Sequence, residues 1–234
     1  MLPAELLNSL KSPPVPQSPS PHFSMLYLDS ALIEEAQQVQ KFGWVKGITT
    51  NPSLLAQSSL SPAETLTQLA QLSPGELYYQ LMGTEVETMI AEGHQAYQLI
   101  GEKTVLKIPA TAKGFQALAQ LSSDIACSVT AIYSPAQAAI AAEAGAKYAI
   151  AYVNRASRLQ GDGLKLVQEM AQILRGSRTE ILAASLKSPQ EAAAALLAGA
   201  NHLTLPLSLL EAMTTHELSE QTVAEFNRQG RGLV

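Results

Sequence analysis

One cysteine, Cys127, stands in a chain of 234 residues, so no internal disulfide framework braces the fold, and the composition fits a reducing, cytoplasmic setting. It lies in the apolar run IACSVTAIY, where a free thiol behaves as a small buried hydrophobe. Charge is also scarce: 15% of residues are charged, Lys and Arg number 15 against 20 Asp and Glu, and the formal net charge is -5. Without a basic run there is no sequence-wide attraction to nucleic acid or an anionic membrane, and any anionic ligand has to be held locally. No stretch approaches the roughly 20 apolar residues of a membrane span. No glycine-rich dinucleotide fingerprint or Walker loop calls for a nucleotide, and His94, His202 and His216 show no metal-ligand spacing. Neither cofactor nor metal is therefore expected.

What is present divides in two. Residues 1–24, MLPAELLNSLKSPPVPQSPSPHFS, are rich in Pro and Ser, hold one Lys and no Arg, and lack a long apolar run, which makes them a poor secretory signal or transit peptide. SPPVPQSPSP is expected to be extended and polyproline-like, a disordered tail or a docking peptide, because proline fixes φ and removes a donor. PAELLNSL has the makings of a short transient helix. Residues 25–234, with a chain-wide 47% hydrophobic content, are long enough to bury one large core.

In that second part short β-branched or aromatic runs alternate with helical ones. The strand candidates are MLYLD, WVKGITT, LYYQLM, TVLKIP, IACSVTAIY, KYAIAYVN, EILAAS and HLTLP. Eight βα units predict a (β/α)₈ barrel, an α/β fold with a closed parallel sheet. Helix starts agree: Ser61-Pro62, Ser134-Pro135 and Ser188-Pro189 each place an N-cap serine before proline, with Glu64, Gln137 or Glu191 three residues on. Thr84 with Glu87 repeats the pattern without proline. Gly145 and Gly199 end Ala-rich helices just before a strand, at roughly 27 residues per unit, a spacing that suits eight units better than an open sheet. THELSEQTVAEFNRQ follows the eighth unit and reads as an extra C-terminal helix.

The working face of such a barrel lies where strands end. Polar residues occupy nearly every strand end: Asp29, Thr49 with Asn51, Gln80, Lys107, Thr130, Tyr152 with Asn154 and Arg155, and Ser185. Singly, each also reads as a cap, a turn, a loop hydroxyl or a core aromatic. Lys107 is the sharpest. Period-2 alternation puts Val105 and Lys107 on the inward face and turns Leu106 and Ile108 toward the helices. An inward lysine either pairs with Asp29 or snorkels to solvent, or, desolvated until its pKa falls toward neutrality, captures a carbonyl as a Schiff base.

LYLDSALIEEA, GITTNPSLLA, YYQLM, TVLKIPAT, AYVNR, LAASLKSP and LTLPL, colinear from about Tyr27 to Leu207, resemble the transaldolase superfamily, in particular its small fructose-6-phosphate aldolase members. TTNP and K-[IV]-P-x-T in that order are the specific fragments. The resemblance implies a metal-free class I aldolase or transaldolase that assembles as a homo-oligomer and acts on sugar phosphates, with Lys107 as the imine lysine. It further implies that Asp29 and Asn51 contact donor hydroxyls and help move protons, that Gln80, Thr130 and Tyr152 hold the water that shuttles them, and that Arg155 and Ser185 bind the acceptor's phosphate. Thr49 and Asn154 join the substrate-binding set, and Lys187 is either a further phosphate contact or a solvated lysine. QGDGLK offers Gly161 and Gly163 as anion-facing amides or as a plain turn, and the turn is the simpler reading. Ile150 stands where those aldolases carry a smaller residue, so an inward Ile150 is expected to narrow the donor pocket. Outside the enzymes, the alternative is a catalytically silent sugar-phosphate-binding barrel.

Overall fold

The eight β-type runs become eight parallel strands in the computed structural model, which describes residues 24–233. They are β1 Leu26–Asp29, β2 Val45–Thr49, β3 Glu76–Gln80, β4 Thr104–Pro109, β5 Ala126–Ile132, β6 Tyr148–Tyr152, β7 Glu180–Ala184 and β8 His202–Leu205. Each pairs with its sequence neighbour, and β8 returns to β1, so the sheet closes into a barrel. The expected (β/α)₈ architecture is the observed one. Residues 1–23 of the tail, where a short transient helix was expected, lie outside the described residues.

Helices wrap the barrel: α1 Ile33–Gln40, α2 Pro52–Leu55, α3 Pro62–Leu72, α4 Val86–Ile100, α5 Ala112–Leu121 and α6 Pro135–Glu143. They continue as α7 Val153–Gln160, α8 Gly163–Ile173, α9 Pro189–Leu197, α10 Leu207–Ala212 and α11 Glu217–Gln229. Ser61, Ser134 and Ser188 are the N-caps expected of them, each accepting from the backbone N–H three residues on. Only Ser61 completes the reciprocal box, its backbone N–H donating to Glu64 at 3.0 Å. The Thr84–Glu87 expectation fails by one residue. The cap of α4 is Glu85, because the Thr88 hydroxyl accepts from the Glu85 N–H at 3.2 Å and donates to its carbonyl at 2.8 Å, closing the turn there. Gly145 and Gly199 do end α6 and α9, with φ of 88° and 109°. Beyond β8, α10 completes the eighth unit, and the extra C-terminal helix expected of THELSEQTVAEFNRQ is α11, none of whose residues is buried.

The period-2 alternation separates two apolar layers. Outward residues such as Leu28, Ile48, Leu106, Ile108 and Val129 pack under the helices. Inward residues Tyr27, Tyr78, Val105, Tyr148, Ile150, Leu182 and Ala184 fill the barrel. Gly47 is required on the inward face, since a Cβ there would meet the Glu76 carbonyl at 2.4 Å and the Tyr27 ring at 2.9 Å.

The floor of the barrel is polar and internally satisfied. Glu76 Oε2 accepts from the phenols of Tyr27 at 2.7 Å, Tyr78 at 3.2 Å and Tyr148 at 3.0 Å, and Oε1 accepts from Lys147 at 2.7 Å. Beside them His202 Nδ1 accepts from the Met25 N–H at 3.1 Å, which leaves its Nε2 proton facing Glu180 Oε2 at 2.9 Å. His202 is thus a structural group at the N-terminal end of the strands, opposite the cavity.

Candidate active site

Lys107 sits in the middle of β4, in register with Gln80 of β3 and Ser128 of β5. Its side chain points inward and is 4% exposed. The Nζ donates to the Thr50 carbonyl at 2.8 Å, a neutral partner rather than a carboxylate. Burial pulls its pKa down from 10.5 to about 8, with the charge of Asp29 opposing part of the fall. A useful fraction of free amine is present near neutral pH, which is what carbonyl attack needs.

A cavity of about 470 Å³ opens over this amine at the C-terminal ends of the strands. Asp29, Thr49, Asn51, Gln80, Tyr152, Arg155 and Ser185 line it with Lys107. Thr49 Oγ1 donates to Asp29 Oδ1 at 2.8 Å. Asn51 caps α2, its Oδ1 accepting from the Leu54 N–H at 3.0 Å, and it lines the cavity as well. Tyr152 OH lies 2.7 Å from Thr130 Oγ1. Burial raises the Tyr152 pKa, with Thr130 and Arg155 opposing and Asp29 reinforcing the rise, and the phenol keeps its proton. The Arg155 guanidinium stacks 5.0 Å above the Tyr152 ring, placing an exposed cation at the rim, and Lys187 lines the same mouth. Two residues of this region hold a left-handed backbone without being glycine: Ala131, next to Thr130, and Ser185, both at φ 60°.

The sequence pattern described as Transaldolase/Fructose-6-phosphate aldolase matches residues 26–232. The chain belongs to that family. Among relatives, it is 33% identical to a probable transaldolase of Symbiobacterium thermophilum over 86% of this chain and 94% of the relative. It is 34% identical to one of Aquifex aeolicus, over 86% and 93%, and 35% identical to one of Caldicellulosiruptor saccharolyticus, over 86% and 94%. Solved structures that share the fold alone include a mandelate oxidase variant, with a TM-score of 0.58 at 15% identity over 87% of this chain and 71% of that one. Inosine 5' monophosphate dehydrogenase from Legionella pneumophila gives 0.56 at 14% identity over 79% and 58%.

This transaldolase and aldolase family is one of enzymes, and the cavity gathers most of the residues the sequence nominated. Asn154 is placed apart: it lies in the first turn of α7 and its amide donates to Glu191 of α9 at 3.3 Å. Thr130 reaches the cavity through Tyr152. Gly161 and Gly163 form the α7–α8 turn, where the Gly163 N–H donates to Ser157 Oγ at 3.0 Å. Ile150 does share the inward wall with Tyr152. Sequence reasoning missed Thr204 of β8 and Leu182 of β7, which also line the cavity. Thr204 was findable, since it alternates with His202 on the strand's inward side.

Proposed function

We propose that the chain is a class I aldolase that reversibly splits fructose 6-phosphate, or a similar ketose phosphate, into dihydroxyacetone and glyceraldehyde 3-phosphate through an imine on Lys107. The observation that carries this reading is the Lys107 amine itself, buried at the base of a polar cavity, bonded to a neutral carbonyl and depressed to about 8. Its free amine attacks the ketone carbon, and the carbinolamine loses water to give an iminium. The iminium then draws in the electrons of the C3–C4 bond as the C4 hydroxyl gives up its proton. Glyceraldehyde 3-phosphate leaves, the enamine takes a proton on carbon, and water releases dihydroxyacetone and restores the amine.

Asp29 receives the hydroxyl proton, and Gln80, Thr130 and Tyr152 hold the water that enters and leaves. Thr49 and Asn51 contact the donor hydroxyls. Arg155 and Ser185, with Lys187 beside them, fix the phosphate through charge-assisted bonds. Asn154, engaged with Glu191, steadies the α7–α9 side of the mouth. Ile150 narrows the donor end. Assembly as a homo-oligomer is supported by α11, whose Leu218, Val223 and Phe226 are exposed. A cytoplasmic setting rests on the lone thiol.

The relatives named probable transaldolase favour a second reading, transfer of the dihydroxyacetone unit between sugar phosphates. The resemblance implies glutamate and phenylalanine in transaldolases where this chain has Gln80 and Tyr152, which supports the aldolase. The deciding experiment is a product assay on fructose 6-phosphate with and without erythrose 4-phosphate. Free dihydroxyacetone without an acceptor is the expected result. Transfer much faster than release puts the transaldolase reading in its place.

A further inference from the structure

Thr204 lies on the inward side of β8, is 4% exposed, and lines the catalytic cavity with Asp29 and Thr49. Its Oγ1 is 2.5 Å from Thr49 Oγ1, and Thr49 Oγ1 in turn donates to Asp29 Oδ1 at 2.8 Å. A hydroxyl has one proton. Thr49 spends its own on the carboxylate, so the short contact to Thr204 is filled by the Thr204 proton, donated to Thr49. Both hydroxyls therefore point one way, toward Asp29, and the lone pairs of Thr204 are left for an O–H donor from the cavity. The three groups come from β8, β2 and β1: β1 and β2 pair directly, and β8 joins them where the barrel closes onto β1.

We propose that Thr204 is a proton-relay residue: a substrate hydroxyl passes its proton to Asp29 through Thr204 and Thr49. The inference rests on the aldolase reading of the site. In the cleavage direction the substrate O–H breaks and its proton goes to Thr204 Oγ1, whose own proton moves to Thr49 Oγ1, whose own proton moves to Asp29 Oδ1. The electron pair left on the substrate oxygen becomes the new carbonyl as the C–C bond breaks into the iminium, and Asp29 ends as the carboxylic acid. Condensation runs the same steps backwards. The relay lets one fixed carboxylate serve a hydroxyl bound two side chains away, and the buried wire holds its orientation before substrate arrives.

The test is cleavage of fructose 6-phosphate by the wild type, Thr204→Val and Thr204→Ser in mixtures of H₂O and D₂O, with borohydride trapping in parallel. Valine keeps the shape and removes the relay. It is expected to lower kcat about hundredfold or more, to leave KM nearly unchanged, and still to form the trapped imine. Serine is expected to restore most of kcat. The wild-type rate is expected to fall along a curve with deuterium fraction, as several protons in flight require, and the valine variant along a line. A linear wild-type dependence overturns the relay, and so does a valine variant with wild-type kcat or a loss that serine does not restore. A wild type that traps no imine overturns the aldolase reading and the relay with it, a failure distinguishable because it precedes any effect of Thr204.

Discussion

Lys107 carries a cost that the rest of the chain has to offset. Its folded pKa of about 8 lies below the ordinary 10.5, so the folded state gives up this proton before the unfolded state does. Below about pH 8 both states hold the proton and the full penalty of burying the ammonium, on the order of 3 kcal/mol, acts against folding. Between about 8 and 10.5 the unfolded chain is still protonated while the folded one is not, and stability rises with pH across that window; above it the penalty is gone. Lys107→Met is therefore expected to be more stable than the wild type at pH 7, with the gain shrinking from pH 8 to 10.5 in urea titrations. A gain independent of pH contradicts the buried-ammonium account. The inward placement of Lys107 was legible from alternation along TVLKIP, because that rule is local. The bonds from Thr204 to Thr49 and on to Asp29 were not legible. They join residues 155 and 20 positions apart, and the longer of the two forms only because the barrel closes between β8 and β1.

At the scale of elements, the strand runs and the Ser-Pro helix starts were readable because cap and turn chemistry acts within four residues. The α4 start was misplaced by one residue for the same reason: Thr84 and Glu85 both offer a side-chain oxygen, and the Thr88 hydroxyl decides in favour of Glu85. The irregularity in β5 had no sequence signal at all. The β5–β6 register shifts between Val129 and Ile132, and Ala131 takes φ 60° there, a conformation that costs a residue with a Cβ roughly 1–2 kcal/mol. Such a bulge re-aims its neighbours, and here the neighbour is Thr130, which holds the Tyr152 phenol. Ala131→Gly is expected to gain up to about 1 kcal/mol in chemical denaturation once the added freedom of the unfolded chain is subtracted, and Ala131→Val to lose more than that. Equal stabilities for all three side chains would mean that the bulge stores no strain.

Across the whole molecule, the two ends of the barrel divide the work. The strand C-termini hold the cavity, and the floor holds a carboxylate shared by three buried phenols and a lysine. Sequence reading found the first end and passed over the second, because Tyr27, Glu76, Tyr78 and Tyr148 look like ordinary strand residues until the barrel converges them. Glu76→Ala strips those phenols of their acceptor and is expected to cost about 3 kcal/mol or more in urea unfolding, while imine formation per folded molecule stays near the wild-type level. A large loss of imine formation at unchanged stability would show that the floor takes part in chemistry. The most direct test of the central claim is borohydride reduction with saturating fructose 6-phosphate, followed by peptide mass spectrometry of the wild type and of Lys107→Met. One reduced adduct on the peptide carrying Lys107, rising with pH toward about 8 and absent from the variant, is the predicted result; no adduct, or an adduct on another lysine, contradicts it.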